Sequence, residues 1–180
     1  MLVKVFGGAV YGINAITITI EVNILWGAKF IIVGLPDNAV KESQERIDSA
    51  LREIGSKIPG KRVVINMAPA DVKKEGSSYD LPLAIGILAA NEQLPAAALE
   101  RYVVMGELSL DGSLQPVKGV LPIAINAKRE GFKGILLPLQ NANEASVVQD
   151  FEVYGFRNLG EVVAFLRGEL AMEPARFEAP

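Results

Sequence analysis

The stretch VVINMAPADVKKEGSSYDLPLAIGILAA, residues 63–90, decides the fold of this chain. It begins as a β-branched strand, Val63 to Ile65, and breaks at Pro69 into a charged loop that carries glycine and serine. From Asp80 onward it reads as a helix with almost no polar residue. A polar loop between a buried strand and a buried helix is a common position for a functional site, because the two rigid elements position it. The loop at residues 70–79 is therefore the first candidate site.

The composition is that of a folded globular chain that lacks two of the common catalytic and metal-binding residue types. Half of the 180 residues are hydrophobic and the net charge is −3, which does not indicate a nucleic-acid-binding or membrane-surface protein as a whole. The chain has no cysteine and no histidine. A disulfide framework and thiolate chemistry are thus excluded, a zinc site would need carboxylates alone, and the commonest general base is missing.

No segment indicates export or membrane insertion. The N-terminus lacks the basic region and the unbroken apolar run of a signal peptide. The longest apolar run, residues 81–90, is about half of the roughly 20 residues that span a bilayer. We therefore expect a soluble, cytoplasmic protein with no membrane partner.

Hydrophobic periodicity predicts an α/β (α+β) fold. Apolar and polar residues alternate over residues 2–10 and 15–25, which predicts an antiparallel hairpin that turns at Gly12–Asn14. The strand-rich first half and the alternating second half predict one mixed sheet with N-terminal antiparallel strands and alternating αβ units. The further predicted strands are at residues 29–33, 102–110, 113–117, 134–137 and 152–154, and the predicted helices at 38–54, 81–90, 95–99, 119–130, 144–149 and 159–169.

Two helices carry predictions about their caps and charges. Asp37 or Asn38 is expected to cap the helix at 38–54, and Ser77 or Ser78, together with Asp80, the helix at 81–90. Charged residues spaced by four predict a solvated face on the first of these helices. The predicted pairs are Lys41–Glu45, Glu42–Arg46 and Asp48–Arg52.

One near-match to a phosphate-binding loop fails. Residues 55–62, GSKIPGKR, fit the pattern G-x-x-x-x-G-K but have Arg62 where Ser or Thr must reach Mg²⁺. The segment also leaves a helix and enters a strand, whereas the motif needs a strand that feeds a helix N-terminus. We therefore predict no nucleotide site here.

A serine–lysine pair is the one form of nucleophilic catalysis that the composition allows. Ser77 and Ser78 lie just before a helix N-terminus, where backbone N–H groups could hold an oxyanion. A helix-capping role suits the two serines equally well. The local sequence leaves catalysis and capping as alternatives.

Three long segments together resemble the N-terminal domain of the ComM/YifB family, bacterial AAA+ ATPases that are also described as magnesium-chelatase-like or ChlI-related. The segments are FIIVGLPDNAVKESQERIDSAL (30–51), INMAPADVKKEGSSYDLPLAIGILAA (65–90) and MGELSLDGSLQPVKGVLPIAINAKREGFKGILLP (105–138), within a resemblance that covers about residues 1–170. The resemblance implies a fold similar to the catalytic domain of Lon proteases and to the second domain of a small-subunit ribosomal protein.

The same resemblance implies a larger protein. The domain would occupy residues 1–168, with residues 169–180 as the start of a linker to an AAA+ module that binds ATP and Mg²⁺. Family membership further implies a hexameric ring and a DNA helicase that supports branch migration during natural transformation. It implies no chelatase activity for any residue of this chain, and no cofactor or metal within residues 1–180.

Comparison with Lon proteases implies that the candidate site has lost its catalytic base. Residues 74–78 lie over the Lys-Asp-Gly-Pro-Ser loop of those enzymes and place Ser78 at the nucleophile position. The catalytic lysine falls at Leu121, which cannot accept a proton, and Lys118 and Lys74 are the nearest alternatives. Asp80, where the proteases have a small residue, would crowd or repel an oxyanion. We therefore expect a non-catalytic domain, with a residual Lon-like hydrolase as the alternative.

DNA contact, if the domain makes it, would use loop cations without base specificity. The alternative is that these are solvated loop lysines on an acidic protein. The candidates form two clusters at opposite ends of one strand, so they need not make one patch. They are Lys57, Lys61 and Arg62 before the strand, and Lys73 and Lys74 after it.

Overall fold

The two alternating stretches near the N-terminus form the centre of the sheet in a computed structural model that describes residues 1–180. Strand β1 (Val3–Tyr11) and strand β2 (Asn14–Leu25) pair antiparallel along their whole length, from Val3 opposite Val22 to Tyr11 opposite Asn14. The predicted hairpin is therefore confirmed.

The remaining elements, in chain order, are β3 (Phe30–Val33), α1 (Asp37–Glu53), β4 (Arg62–Ala68), a 3-10 turn (Gly76–Tyr79), α2 (Asp80–Ala90), α3 (Ala96–Leu99), β5 (Tyr102–Val104), β6 (Glu107–Leu108), β7 (Leu114–Gln115), α4 (Val120–Arg129), β8 (Gly134–Pro138), α5 (Leu139–Ala145), β9 (Glu152–Phe156) and α6 (Leu159–Leu166).

The strands extend the hairpin on both sides into a seven-stranded sheet of order β3-β4-β2-β1-β5-β8-β9. The β4–β2 and β2–β1 pairs are antiparallel and the other four are parallel, which confirms the predicted mixed sheet. Strands β6 and β7 form a separate two-stranded ribbon.

Helices α2 and α4 cover opposite faces of the central hairpin. Every residue of α2 is buried, and Gly86 brings its backbone so close to the sheet that an added Cβ would lie 2.8 Å from Val22. On the other face, an added Cβ at Gly8 would lie 2.5 Å from Ile123 of α4. Small residues at the crossings thus let both helices approach the strands closely.

Two elements differ from their predicted bounds by more than three residues. The strand predicted at 102–110 leaves the sheet after Val104, because Gly106 instead pairs its backbone with Ser78 and Leu81. The helix predicted at 144–149 occupies Leu139–Ala145 instead. It starts directly after the strand because Pro138, with φ fixed near the helical value, serves as its N-cap residue.

The predicted caps are wrong, and so are two of the three predicted ion pairs. Pro36 and Tyr79 are the N-cap residues of α1 and α2, and neither helix has a side-chain cap. Asp48 and Arg52 do pair, at 2.9 Å. Glu42–Arg46 does not form, because Arg46 turns toward the core and pairs with Asp80. Lys41–Glu45 does not form either.

The last residues form no helix or strand but contact the body of the domain. Ala175 donates its N–H to the Val153 carbonyl at 2.8 Å. The Asn143 side chain forms hydrogen bonds of 3.1 and 2.8 Å with the backbone O and N of Glu178. No helix of the chain combines the length and the apolarity needed to cross a membrane.

Candidate functional site

Ser78 lies in a surface cleft where the 70–79 loop meets the end of β1 and the start of α4. We call this the Ser78 cleft; its volume is about 410 Å³. Its floor is apolar and its rim carries charges of both signs. The lining residues are Gly8, Ala9, Val10, Lys73, Glu75, Ser78, Tyr79, Met105, Lys118, Gly119 and Ile123.

Hydrogen bonds from buried groups hold the walls of the Ser78 cleft together. The Tyr79 hydroxyl donates to the Gly8 carbonyl at 2.8 Å, and the Gly8 N–H points at the sulfur of Met105 at 3.3 Å. The Gly106 N–H donates to the Ser78 carbonyl at 2.9 Å. Burial raises the pKa of Tyr79, so its hydroxyl stays protonated and keeps this donor role. The loop that carries Ser78 is thus fastened to β1 and to the segment after β5.

The structure brings Ser78 together with Lys118 and Lys73, but not with Leu121. Leu121 is a half-buried residue in the first turn of α4 and does not line the cleft. The Ser78 hydroxyl forms no hydrogen bond to either lysine. The cleft therefore holds a hydroxyl and two amines without the nucleophile–base contact on which a serine–lysine hydrolase depends.

Asp80 lies outside the Ser78 cleft, in a buried network that the sequence analysis did not predict. Its carboxylate accepts bonds from Arg46 Nε at 2.6 Å, from the Ser43 hydroxyl at 3.0 Å and from the Leu108 N–H at 3.1 Å. The side chain of Asp80 is fully buried, whereas that of Arg46 is 21% exposed. The hydrogen bond that Arg46 donates to Asp80 raises the pKa of Arg46. Asp80 therefore joins α1, α2 and β6. Contrary to the expectation, it does not crowd the Ser78 cleft.

The five predicted DNA-contacting residues divide by position and exposure. Lys57, Lys61 and Arg62 are exposed near the start of β4, and Lys73 is exposed at the other end, in the Ser78 cleft. Lys74 is buried, and its amine donates to the Val72 carbonyl at 2.9 Å. Burial lowers the pKa of Lys74. Lys74 thus lacks the exposure that a phosphate contact requires, contrary to its prediction as a DNA-contacting residue.

The structure offers no obvious metal centre. No three Asp, Glu, His or Cys side chains lie close enough together to hold a metal ion. The charged groups of the Ser78 cleft are two amines and a single carboxylate, Glu75. A donor set of this kind favours an anion over a hard cation.

The family of this chain follows from its similarity to known proteins. A family model described as "Subunit ChlI of Mg-chelatase" matches residues 20–141 of the chain. The chain belongs to this ChlI family. The match spans β2 to the start of α5, and therefore includes the 70–79 loop, α2 and most of the Ser78 cleft.

Two individual relatives are similar to this chain over nearly its whole length. Competence protein ComM of Haemophilus influenzae is 46% identical over 169 residues, which are 93% of this chain and 33% of the relative. The YifB protein of Escherichia coli is 42% identical over 166 residues, 92% of this chain and 33% of the relative. This member of the ChlI family thus spans about a third of the length of these curated relatives.

Similarity to Lon proteases is weaker. Lon protease 2 of Bacillus subtilis is 28% identical over 142 residues, which are 78% of this chain and 24% of that enzyme. The Lon match is thus lower than the ComM and YifB matches both in identity and in the share of this chain that it covers.

Proposed function

We propose that this chain is a non-catalytic N-terminal domain of a ComM/YifB-type AAA+ ATPase, which serves ring assembly, DNA engagement or both. Residues 1–168 would form the domain and residues 169–180 the start of the linker. ATP and Mg²⁺ would bind to the AAA+ module and not to this chain. The parent protein would assemble as a hexamer and act as a helicase in branch migration during DNA uptake.

The observation that carries the DNA proposal is a set of exposed cations without an ion-pair partner at the start of β4. Lys61 and Arg62 open the strand, and Lys57 precedes them in the same loop. None of the three takes part in an ion pair. On a chain with a net charge of −3, such a local concentration of free cations supports phosphate contact rather than global attraction to DNA.

The test compares two charge-matched double variants of the 180-residue chain. Lys61→Ala/Arg62→Ala removes two cations from the start of β4, and Lys73→Ala/Lys118→Ala removes two from the Ser78 cleft. We expect weak, salt-sensitive DNA binding by the wild type at low salt, measured by fluorescence anisotropy. The first variant should lower the slope of log affinity against log salt by about 2, because each lost phosphate contact lowers it by about 1.

Two outcomes would count against the proposal. Absence of DNA binding by the wild type at low salt removes the DNA role of this chain. A loss confined to Lys73→Ala/Lys118→Ala would move the contact to the Ser78 cleft and contradict the assignment to the start of β4.

A residual Lon-like serine–lysine hydrolase is the competing function, because Ser78 and Lys118 line one cleft. We expect no cleavage of casein or of a fluorogenic peptide that disappears in the Ser78→Ala variant. The physical reason is that the hydroxyl has no base hydrogen-bonded to it. Wild-type cleavage that both Ser78→Ala and Lys118→Ala abolish would replace the non-catalytic proposal with hydrolysis.

A further inference from the structure

Trp26 is the single tryptophan of the chain, and it is 94% exposed. It lies in the short connection between β2, which ends at Leu25, and β3, which begins at Phe30. A fully exposed indole buries none of its large apolar surface in the monomer, so packing within the domain does not explain its presence.

The connection that carries Trp26 crosses the start of β4. Strands β2 and β3 lie on either side of β4, with Leu25 opposite Arg62 and Phe30 opposite Val63. The Lys29 carbonyl accepts the Val63 N–H at 2.8 Å, which fixes the far end of the crossing. Trp26 therefore stands beside the cations already proposed to contact DNA.

Gly27 brings the crossing close to one of these cations. It has a φ of +128°, which favours glycine, and an added Cβ would lie 3.1 Å from the Cβ of Arg62. The backbone next to Trp26 therefore packs on the stem of Arg62. Trp26 and Arg62 are therefore close at the level of the backbone.

Lys29 adds a further cation, which the sequence analysis did not select. Lys29 and Lys61 line one shallow cleft of about 250 Å³ between the crossing and α1. Neither forms an ion pair. The carboxylates on the α1 side are Glu45 and Asp48. Asp48 is already bonded to Arg52 and to the Ile58 N–H, and Glu45 forms no ion pair with either amine. Both amines therefore lack a bonded carboxylate partner and can contact an external anion.

We propose that the Trp26 surface, which comprises Trp26, Lys29, Lys61 and Arg62, binds single-stranded nucleic acid, with the indole stacked on an unpaired base. An exposed aromatic ring flanked by free cations is the combination that single-strand binding uses, because the ring stacks on a base while the cations contact phosphates. In a duplex each base is already stacked and paired, so an indole on the surface gains nothing from it. This inference rests on the proposed DNA role and adds the strandedness of the ligand.

The test uses the intrinsic fluorescence of Trp26, the single tryptophan, as a direct reporter. The 180-residue chain is titrated at low salt with a 15-nucleotide oligothymidylate and, separately, with a 15-base-pair duplex. We expect the oligothymidylate to quench the emission and the duplex to quench it far less. By anisotropy, Trp26→Ala should weaken oligothymidylate binding about tenfold, while Trp26→Phe retains most of the affinity.

The matched control is Ile13→Ala, which removes an equally exposed apolar side chain, 94% exposed, from the β1–β2 turn, next to the opposite end of β2. It should leave both affinities unchanged. Oligothymidylate affinity that stays within twofold in Trp26→Ala overturns the inference, and it leaves the proposed DNA role intact if Lys61→Ala/Arg62→Ala still weakens binding. If neither the oligothymidylate nor the duplex binds, both the inference and the proposed DNA role are overturned. A change in Trp26 emission with protein concentration but not with nucleic acid would reassign the indole to contacts between copies of the chain.

Discussion

At the scale of single residues, the buried carboxylate of Asp80 shows why polar groups in an apolar run carry information. Asp80 precedes ten apolar or small residues, and no solvent reaches its side chain. A buried charge is tolerated only when it is paired and hydrogen-bonded. The presence of this aspartate therefore requires a cationic partner elsewhere in the chain. That partner, Arg46, follows from the sequence only once α1 and α2 are known to be neighbours.

Removing the partner of a buried charge should destabilise the domain strongly. We expect Arg46→Met to lower the free energy of unfolding by about 3 kcal/mol, because Asp80 would remain buried with only neutral hydrogen-bond donors. Urea unfolding followed by circular dichroism measures the change.

Arg52→Met is the matched control for this loss. Arg52 also lies on α1 and also pairs through its Nε, but its side chain is 63% exposed and that of its partner Asp48 is 33% exposed. Its removal should cost at most about 1 kcal/mol. Equal losses in the two variants would show that burial of Asp80 does not set the strength of the network.

At the scale of secondary structure, periodicity located most elements, and local turn chemistry failed at their ends. The period-two stretches and the apolar helix at 81–90 follow from local patterning, because burial of one face or of all faces leaves a repeat in the sequence. Helix α5 lies earlier than its local pattern predicts, because Glu144 and the residues after it have a helical pattern whereas the chain already turns at Pro138. The strand after Tyr102 was extended too far, since only the tertiary bonds of Gly106 to Ser78 and Leu81 remove it from the sheet.

The candidate site was only partly accessible to the same reasoning. The sequence located the polar 70–79 loop and its serine, because these residues are contiguous. The Ser78 cleft also contains Gly8 and Lys118, which are remote in sequence and meet only when β1 and α4 pack together. Trp26 was overlooked for a related reason: a lone aromatic residue in a turn has no periodic neighbours, and its exposure is known only from the fold.

At the scale of the whole molecule, the boundary expected at residue 168 separates two kinds of structure. Helix α6 ends at Leu166, and the residues beyond it form neither helix nor strand. They still contact the domain, since Met172 and Ala175 pack against the core and Glu178 bonds to Asn143. The segment at 169–180 therefore contributes to stability without belonging to the sheet or to a helix.

A chain truncated after residue 168 should fold with the same secondary structure and a lower melting temperature. The lost contacts are two half-buried apolar side chains and a few peripheral hydrogen bonds, which together are worth about 1–2 kcal/mol. For a chain of this length that corresponds to a fall of about 3–6 °C in Tm, measurable by differential scanning calorimetry.

In the full chain, Asn143→Ala removes only the bonds to the Glu178 backbone and should account for a minor part of the fall in Tm. Failure of the truncated chain to fold would place the boundary beyond residue 168, and an unchanged Tm would show that the terminal segment contributes nothing to stability.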